Sequence, residues 1–252
     1  GFLYGDGLFE TMRFDNKTIF LPEKHLKRLS KGLNVIDLKI KQNYSELLDL
    51  LNKVIHKNNL DSGIIRLMIT RGITDKKSSY FNIPRLYISI KSFYNIPKDP
   101  IKTIYLDETK YPIIRFSPAI KSMNYIGNLL SKRDCEKQGG YEPIFYNQNR
   151  IITECAIRNI FFIKENTLIT PDTELGVLPG VMRDTIISIA KEINLSVEET
   201  NIPIESINEM DEAFISSTGI GLLPCVWEEW QSDFILTSKL KNRINQLINT
   251  TL

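Results

Sequence analysis

Two prolines within six residues, in Asn95-Ile96-Pro97-Lys98-Asp99-Pro100, place the tightest limit on how this chain folds. Proline has no amide hydrogen and continues neither a helix nor a central strand, so no regular element runs through that stretch. Residues 95–100 therefore read as a linker. They separate residues 1–94 from residues 101–252, each of ordinary domain size.

Both parts mix the two periodicities. In the first, Leu21–Leu33 predicts a helix: Pro22 suits its start, and Leu26, Leu29 and Leu33 recur at helical spacing. Asn43–Asn58 predicts a second, with Asn43 and Glu46 at capping-box spacing and Leu47, Leu51, Val54 and Ile55 on one face. Ile64–Thr70 and Arg85–Ser92 read as strands, with a polar loop expected over Gly72–Ile83, long enough to reach over a site. In the second part, strands are expected at Ile101–Asp107, Pro143–Tyr146, Arg158–Ile163, Thr167–Thr170 and Ala213–Ser217. Helices are expected at Asn124–Gln138, closed by Gly139-Gly140, at Val181–Ile193 and at Asn242–Leu247. The pattern is that of two α+β domains. The chain opens at Gly1 inside what reads as a strand and turn, Phe2–Gly7, so further native residues are expected ahead of it.

Thirty-two Lys and Arg against thirty Asp and Glu leave a net charge of +2, which argues against a binder of nucleic acid. The longest apolar runs, such as Ile64–Thr70, fall far short of the roughly 18 residues that a membrane span needs. The three cysteines, Cys135, Cys155 and Cys225, are widely spaced and form no C-x-x-C, so they read as reduced thiols of a soluble cytoplasmic protein. With only two histidines, no G-x-S-x-G, no P-loop and no H-E-x-x-H, hydrolytic triads, nucleotide loops and metal centres drop out. His25, beside Glu23 and Lys24, reads as a surface or cap histidine.

What remains is a pair of turns suited to phosphate. Leu178-Pro179-Gly180 runs into the helix expected from Val181, where unpaired amides and the helix dipole favour an anion. Ser216-Ser217-Thr218-Gly219 ends a strand in a hydroxyl-rich turn. Each, taken singly, is more often only a turn.

The spaced motifs resemble those of the fold-type IV pyridoxal-phosphate enzymes, the class IV aminotransferases and aminodeoxychorismate lyases. They are Tyr4-Gly5-Asp6-Gly7-Leu8-Phe9-Glu10-Thr11-x-Arg13, His25-Leu26-x-Arg28-Leu29, Lys121-Ser122-Met123-Asn124-Tyr125, and Thr153-Glu154 followed by Asn159-Ile160-Phe161. Gly176-x-Leu178-x-Gly180-x-x-Arg183 and Asp211-Glu212-x-Phe214 with Ser217-Thr218 complete the series across nearly the whole chain. The resemblance implies an α+β, D-amino acid aminotransferase-like fold: a small α/β domain and a larger, barrel-like α/β domain. It implies pyridoxal 5'-phosphate as cofactor, a small-molecule substrate, and a homodimer with each site between the two domains.

By the same resemblance, Lys121 is the lysine that holds the cofactor and shuttles the proton. Glu154 is the carboxylate paired with the protonated pyridine nitrogen. Arg28 clamps the phosphate, with the amides of Val181 and Met182 and the Thr218 hydroxyl; many relatives carry Thr where this chain has Met182. Tyr125 is placed near the phenolic oxygen, although its spacing from the lysine differs by one residue from that of the branched-chain enzymes.

Three features bear on the reaction. Thr11 in Phe9-Glu10-Thr11-Met12-Arg13 resembles the lyases, where branched-chain enzymes favour Gly. Ile69-Thr70-Arg71-Gly72 resembles the segment of lyases and D-amino-acid enzymes whose arginine meets a substrate carboxylate. Thr153-Glu154-Cys155 replaces the Glu-Gly-Ser of most transaminases, and Ile73 stands where D-amino-acid enzymes usually have histidine. The resemblance thus points to 4-amino-4-deoxychorismate lyase, with Thr11 and Arg71 meeting substrate. A transaminase for branched-chain L- or D-amino acids, and a cofactor-free binding module, are the alternatives.

Overall fold

In the computed structural model, residues 1–75, 78–93 and 95–251 are described. Contacts group the chain into two compact units: Gly1–Tyr94 with Ile120–Asn124 and Thr251–Leu252, and Asn95–Ala119 with Tyr125–Thr250. Ile120–Asn124, expected with the later residues, belongs to the first unit.

The first unit is an antiparallel sheet with two helices on one face. β1 (Gly7–Asp15), β2 (Thr18–Ile19), β3 (Gly63–Asp75) and β4 (Ser78–Lys91) pair in the order β2-β1-β3-β4. Alternation along β1 turns Leu8, Met12 and Phe14 inward, against Leu26, Leu29 and Leu33 of α1 (Pro22–Val35) and Leu47, Leu51 and Ile55 of α2 (Tyr44–Lys57). The capping box of α2 is formed: Glu46 N donates to Asn43 Oδ1 at 3.0 Å, and Asn43 N to Glu46 Oε2 at 2.8 Å.

The loop expected over Gly72–Ile83 is instead a continuation of β3 and β4; its centre, residues 76–77, lies outside the described residues. Polar side chains hid the strands because the ladder is made by backbone groups. At Arg71-Gly72 two residues of β3 oppose the single Pro84 of β4, since Thr70 pairs with Arg85 and Ile73 with Ile83. Proline, lacking an amide to donate, is accommodated at this bulge on an edge strand. Gly72 has φ +75°, and a Cβ there would lie 1.8 Å from Ile83 O, so only glycine fits.

The second unit contains β5 (Ile101–Asp107), α3 (Ile126–Lys137), β6 (Glu142–Tyr146), β7 (Ile152–Cys155), β8 (Asn159–Lys164) and β9 (Thr167–Pro171). After these come α4 (Val181–Glu192), β10 (Ser196–Thr200), β11 (Glu212–Ser217), β12 (Gly221–Val226) and α5 (Ile235–Thr251). The strands form one mixed sheet in the order β10-β9-β8-β11-β12-β5-β6-β7. Ile160, Phe162, Ile215, Leu223 and Trp227 anchor its core. The α+β class and the fold-type IV architecture expected from the motifs are those observed. The short strands β2, β7, β10 and β12 were not legible, and α5 begins seven residues earlier than expected. Among the described residues no helix is long and apolar enough to cross a membrane.

Candidate active site

In the first unit the site residues gather on β1. The Ile120–Asn124 segment runs beside its start: Phe9 N donates to Lys121 O at 3.0 Å, and Met123 N to Gly7 O at 3.0 Å. Lys121 Nζ lies 4.6 Å from the centre of the Phe9 ring, and Arg66 Cζ of β3 lies 5.3 Å from it. The ring thus faces two cations, each attracted by its π electrons. Thr11, one step along the same face, accepts from Arg66 Nε at 3.3 Å. Sequence reasoning missed Arg66; its alternation with the buried Ile65 and Leu67 marks the face it shares with Thr11.

On the opposite, inward face lies Glu10, fully buried, which sequence reasoning also missed. Arg28 donates to it twice, Nε to Oε1 at 2.8 Å and Nη2 to Oε2 at 2.6 Å. His25 Nδ1 is 2.7 Å from Oε2. His25 is therefore not the surface or cap histidine expected: it is 0% exposed, because its partner lies across the core on β1 and not among its chain neighbours. Burial pushes the Glu10 carboxyl up, but the charge and hydrogen bonds of Arg28, with those of His25, outweigh it and hold it at about 2. Burial lowers the pKa of His25 against the pull of Glu10.

Arg71 lies in the bulge of β3 and makes three bonds: Nε to Asp6 Oδ2 at 2.5 Å, Nη2 to Ile36 O at 2.7 Å and Nη1 to Asp37 O at 3.2 Å. It is joined to the turn before β1 and to the end of α1. It does not contact Thr11's partner Arg66 through any of these bonds.

The second unit holds the other candidates. Glu154, on β7, is fixed at both oxygens: Oε1 accepts from Arg115 Nη1, and Oε2 from Leu178 N at 3.2 Å. Arg115 also binds Glu108 Oε2, from Nη2 at 2.6 Å and Nε at 3.1 Å, and Thr153 Oγ1 at 2.9 Å. Arg115 lies in a stretch without periodicity, so no sequence signal marked it. Burial works against its charge, yet Glu154 and Glu108 raise its pKa. Leu178 O in turn accepts from Asn159 Nδ2 at 3.0 Å, so Glu154, Leu178 and Asn159 form one chain leading to Gly180.

Gly180 is the N-cap of α4, and no side chain caps this helix. The first amides of an α-helix have no partner within it, and here Val181 and Met182 are buried, at 4% and 2% exposure. A Cβ on Gly180 would lie 2.0 Å from Asn159 Oδ1, so any larger residue would push the Asn159 side chain aside. Ser216, opposite Asn159 in the β8–β11 ladder, keeps its Oγ buried without a partner among the described residues. Thr218, buried at 8% exposure, follows β11. Buried helix-start amides and an unpaired hydroxyl can donate to phosphate oxygens, and this set fits the phosphate of pyridoxal phosphate. Tyr125 is the N-cap residue of α3, half-buried, its carbonyl accepting from Leu129 N at 3.0 Å.

The three thiols are buried, and burial raises the pKa of each, which makes them inert core groups.

The family model described as amino-transferase class IV matches residues 7–226. The D-alanine aminotransferase of Listeria monocytogenes is 30% identical over 230 residues, 89% of this chain and 78% of that protein. The branched-chain amino acid aminotransferase of Escherichia coli superposes with a TM-score of 0.85 at 26% identity, over 98% of this chain and 86% of that one. The 4-amino-4-deoxychorismate lyase of Pseudomonas aeruginosa shares the fold, with a TM-score of 0.82 at 22% identity, over 96% and 91% of the two chains. With its motifs in order and the match spanning most of its length, the chain belongs to the class IV aminotransferase family, whose members are pyridoxal-phosphate enzymes of fold type IV.

Proposed function

We propose that the chain is a 4-amino-4-deoxychorismate lyase, which releases pyruvate and leaves 4-aminobenzoate for folate synthesis. The observation that carries this reading is the Thr11–Arg66 pair beside Phe9, on the ring that Lys121 also approaches. A hydroxyl next to a guanidinium suits a substrate with carboxylates and a departing ether oxygen. Glycine at position 11, the form favoured by the branched-chain enzymes, would offer no hydroxyl.

When bound, pyridoxal phosphate supplies a carbonyl for the substrate amine and a pyridinium ring that withdraws the electron pair left by a departing proton. In this reading Arg28, the Val181 and Met182 amides and the Thr218 hydroxyl hold the phosphate. Glu154, ion-paired with Arg115, would meet the ring nitrogen, and Tyr125 would meet the phenolic oxygen. Lys121 would hold the cofactor through its amine, and with substrate bound its Nζ would take the proton from the amine-bearing carbon. The bond from the substrate ring to the enolpyruvyl oxygen breaks, the ring becomes aromatic, and the released enol takes up a proton on carbon to give pyruvate. Arg71 meets a substrate carboxylate by exchanging Asp6 for it. The reading includes a cytoplasmic homodimer, as in the enzymes it resembles; light scattering at twice the chain mass checks the dimer.

An aminotransferase for D- or branched-chain L-amino acids is the second reading, favoured by the 30% identity to the Listeria D-alanine enzyme. The deciding experiment supplies 4-amino-4-deoxychorismate without any oxo acid and follows pyruvate and 4-aminobenzoate. Equal release over many turnovers, abolished by Lys121→Ala, supports the lyase. No release, with glutamate formed from D-alanine and 2-oxoglutarate, replaces it by the aminotransferase.

A further inference from the structure

Glu10 has no part in the roles above, yet its surroundings are those of a residue with a task. It lies on β1 between Leu8 and Met12, in the inward phase of the strand, with its side chain 0% exposed. A carboxylate withdrawn from water persists only when paired and hydrogen-bonded. Both oxygens are engaged, Oε1 by Arg28 Nε and Oε2 by Arg28 Nη2 and by His25. His25 and Arg28 are three residues apart on α1, so one helix face brings both groups to the same carboxylate. Two parallel bonds grip the guanidinium along one edge, which fixes its plane as well as its position.

We propose that Glu10 and His25 are positioning residues for the cofactor: they lock the Arg28 guanidinium in the orientation that receives a phosphate. The inference rests on the reading of Arg28 as the phosphate arginine. A long, unbraced side chain gives up rotamer freedom when it meets an anion; a braced one has already given it up in folding. Nδ1–H of an uncharged His25 donates to Oε2 and adds a third bond to the carboxylate without competing with Arg28 for its charge. Because the Glu10 charge opposes a phosphate while its geometry helps, the test uses variants that leave the formal charge alone.

Glu10→Asp keeps the charge but withdraws the carboxylate by one methylene, and His25→Leu removes the donor. Dissociation constants of the cofactor-free protein are measured for pyridoxal phosphate and for pyridoxal, which has the same ring and aldehyde without the phosphate. Thermal midpoints of every variant ensure that binding is read well below unfolding. Glu10→Asp is expected to weaken pyridoxal phosphate about tenfold and His25→Leu about threefold, the loss of one charge-assisted hydrogen bond or part of one. Pyridoxal should change less than about twofold, whereas a merely structural defect would weaken both ligands alike. Arg28→Ala is the control for the underlying reading: if it leaves the preference for the phosphorylated ligand intact, that reading falls and the brace falls with it. If Arg28→Ala removes the preference and neither Glu10→Asp nor His25→Leu reduces it, the brace alone is overturned. Should Glu10→Asp fail to fold, His25→Leu decides by the same comparison.

Discussion

Asp6 Oδ2 and Arg71 Nε stand 2.5 Å apart, joining the turn before β1 to the strand next to it. With its bonds to Ile36 O and Asp37 O, Arg71 is a strut between three chain segments whatever substrate it meets. Arg71→Ala is expected to cost about 1–2 kcal/mol in the cofactor-free protein, seen as a midpoint several degrees lower. An unchanged midpoint would refute the strut. Where Arg71 also serves a substrate carboxylate, Asp6→Asn should lower KM by removing a competitor, while Arg71→Ala raises it.

At the start of α4 the constraint is steric. A methyl group on Gly180 meets Asn159 Oδ1 at 2.0 Å and Arg183 Cβ at 3.2 Å, so Asn159 must move and give up its bond to Leu178 O. Gly180→Ala should destabilise by about 1–3 kcal/mol and weaken pyridoxal phosphate more than pyridoxal. Equal weakening of the two ligands would separate this turn from the phosphate.

Acid should undo the first unit in two stages. The folded pKa of His25 lies below 6.5, so as pH falls through that value the unfolded chain takes up a proton that the folded one refuses, and stability declines. Glu10 follows: held at about 2 when folded against 4.5 when unfolded, it contributes on the order of 3 kcal/mol above pH 4.5, lost as pH falls toward 2. Glu10→Gln should thus differ most from the parent at neutral pH, the gap closing in acid. Urea midpoints from pH 8 to pH 3 measure this, and parallel curves would rule it out.

Arg115 bridges two carboxylates, Glu108 and Glu154. Arg115→Met leaves both carboxyl groups mostly buried without their shared cation, at an expected cost of about 2–4 kcal/mol. Arg115→Lys, which keeps a cation between the two carboxylates, should recover part of that loss. A deficit of the same size in the urea midpoints of both variants would show that packing, rather than charge, had been removed.

What the sequence disclosed follows the range of the interactions. The Asn43–Glu46 box and the leucines of α1 and α2 act within a few residues, and they were legible. Glu10 shares the inward phase of Leu8, Met12 and Phe14, a signal that a buried carboxylate needs a partner, but the partner is 15 residues away on another element. His25 was misjudged for the same reason, since Glu23 and Lys24 describe its chain neighbours and not its contacts. Arg115 sits 39 residues from Glu154, in a stretch that no periodicity organises. The outer part of the β3–β4 ladder, over Gly72–Ile83, passed for a loop because its backbone bonds leave no imprint on polar side chains.

Lys121 reaches β1 in a stretch of five residues, Ile120–Asn124, that is flanked on both sides by residues of the other unit. Synthesis runs from the N-terminus, so β1, β3 and both helices of the first unit leave the ribosome before the segment that lines β1 at Gly7–Phe9. The start of β1 is covered only once β5 of the second unit has been made. A chain released before residue 120 therefore lacks Lys121 and leaves the start of β1 uncovered, so premature termination yields an exposed strand edge.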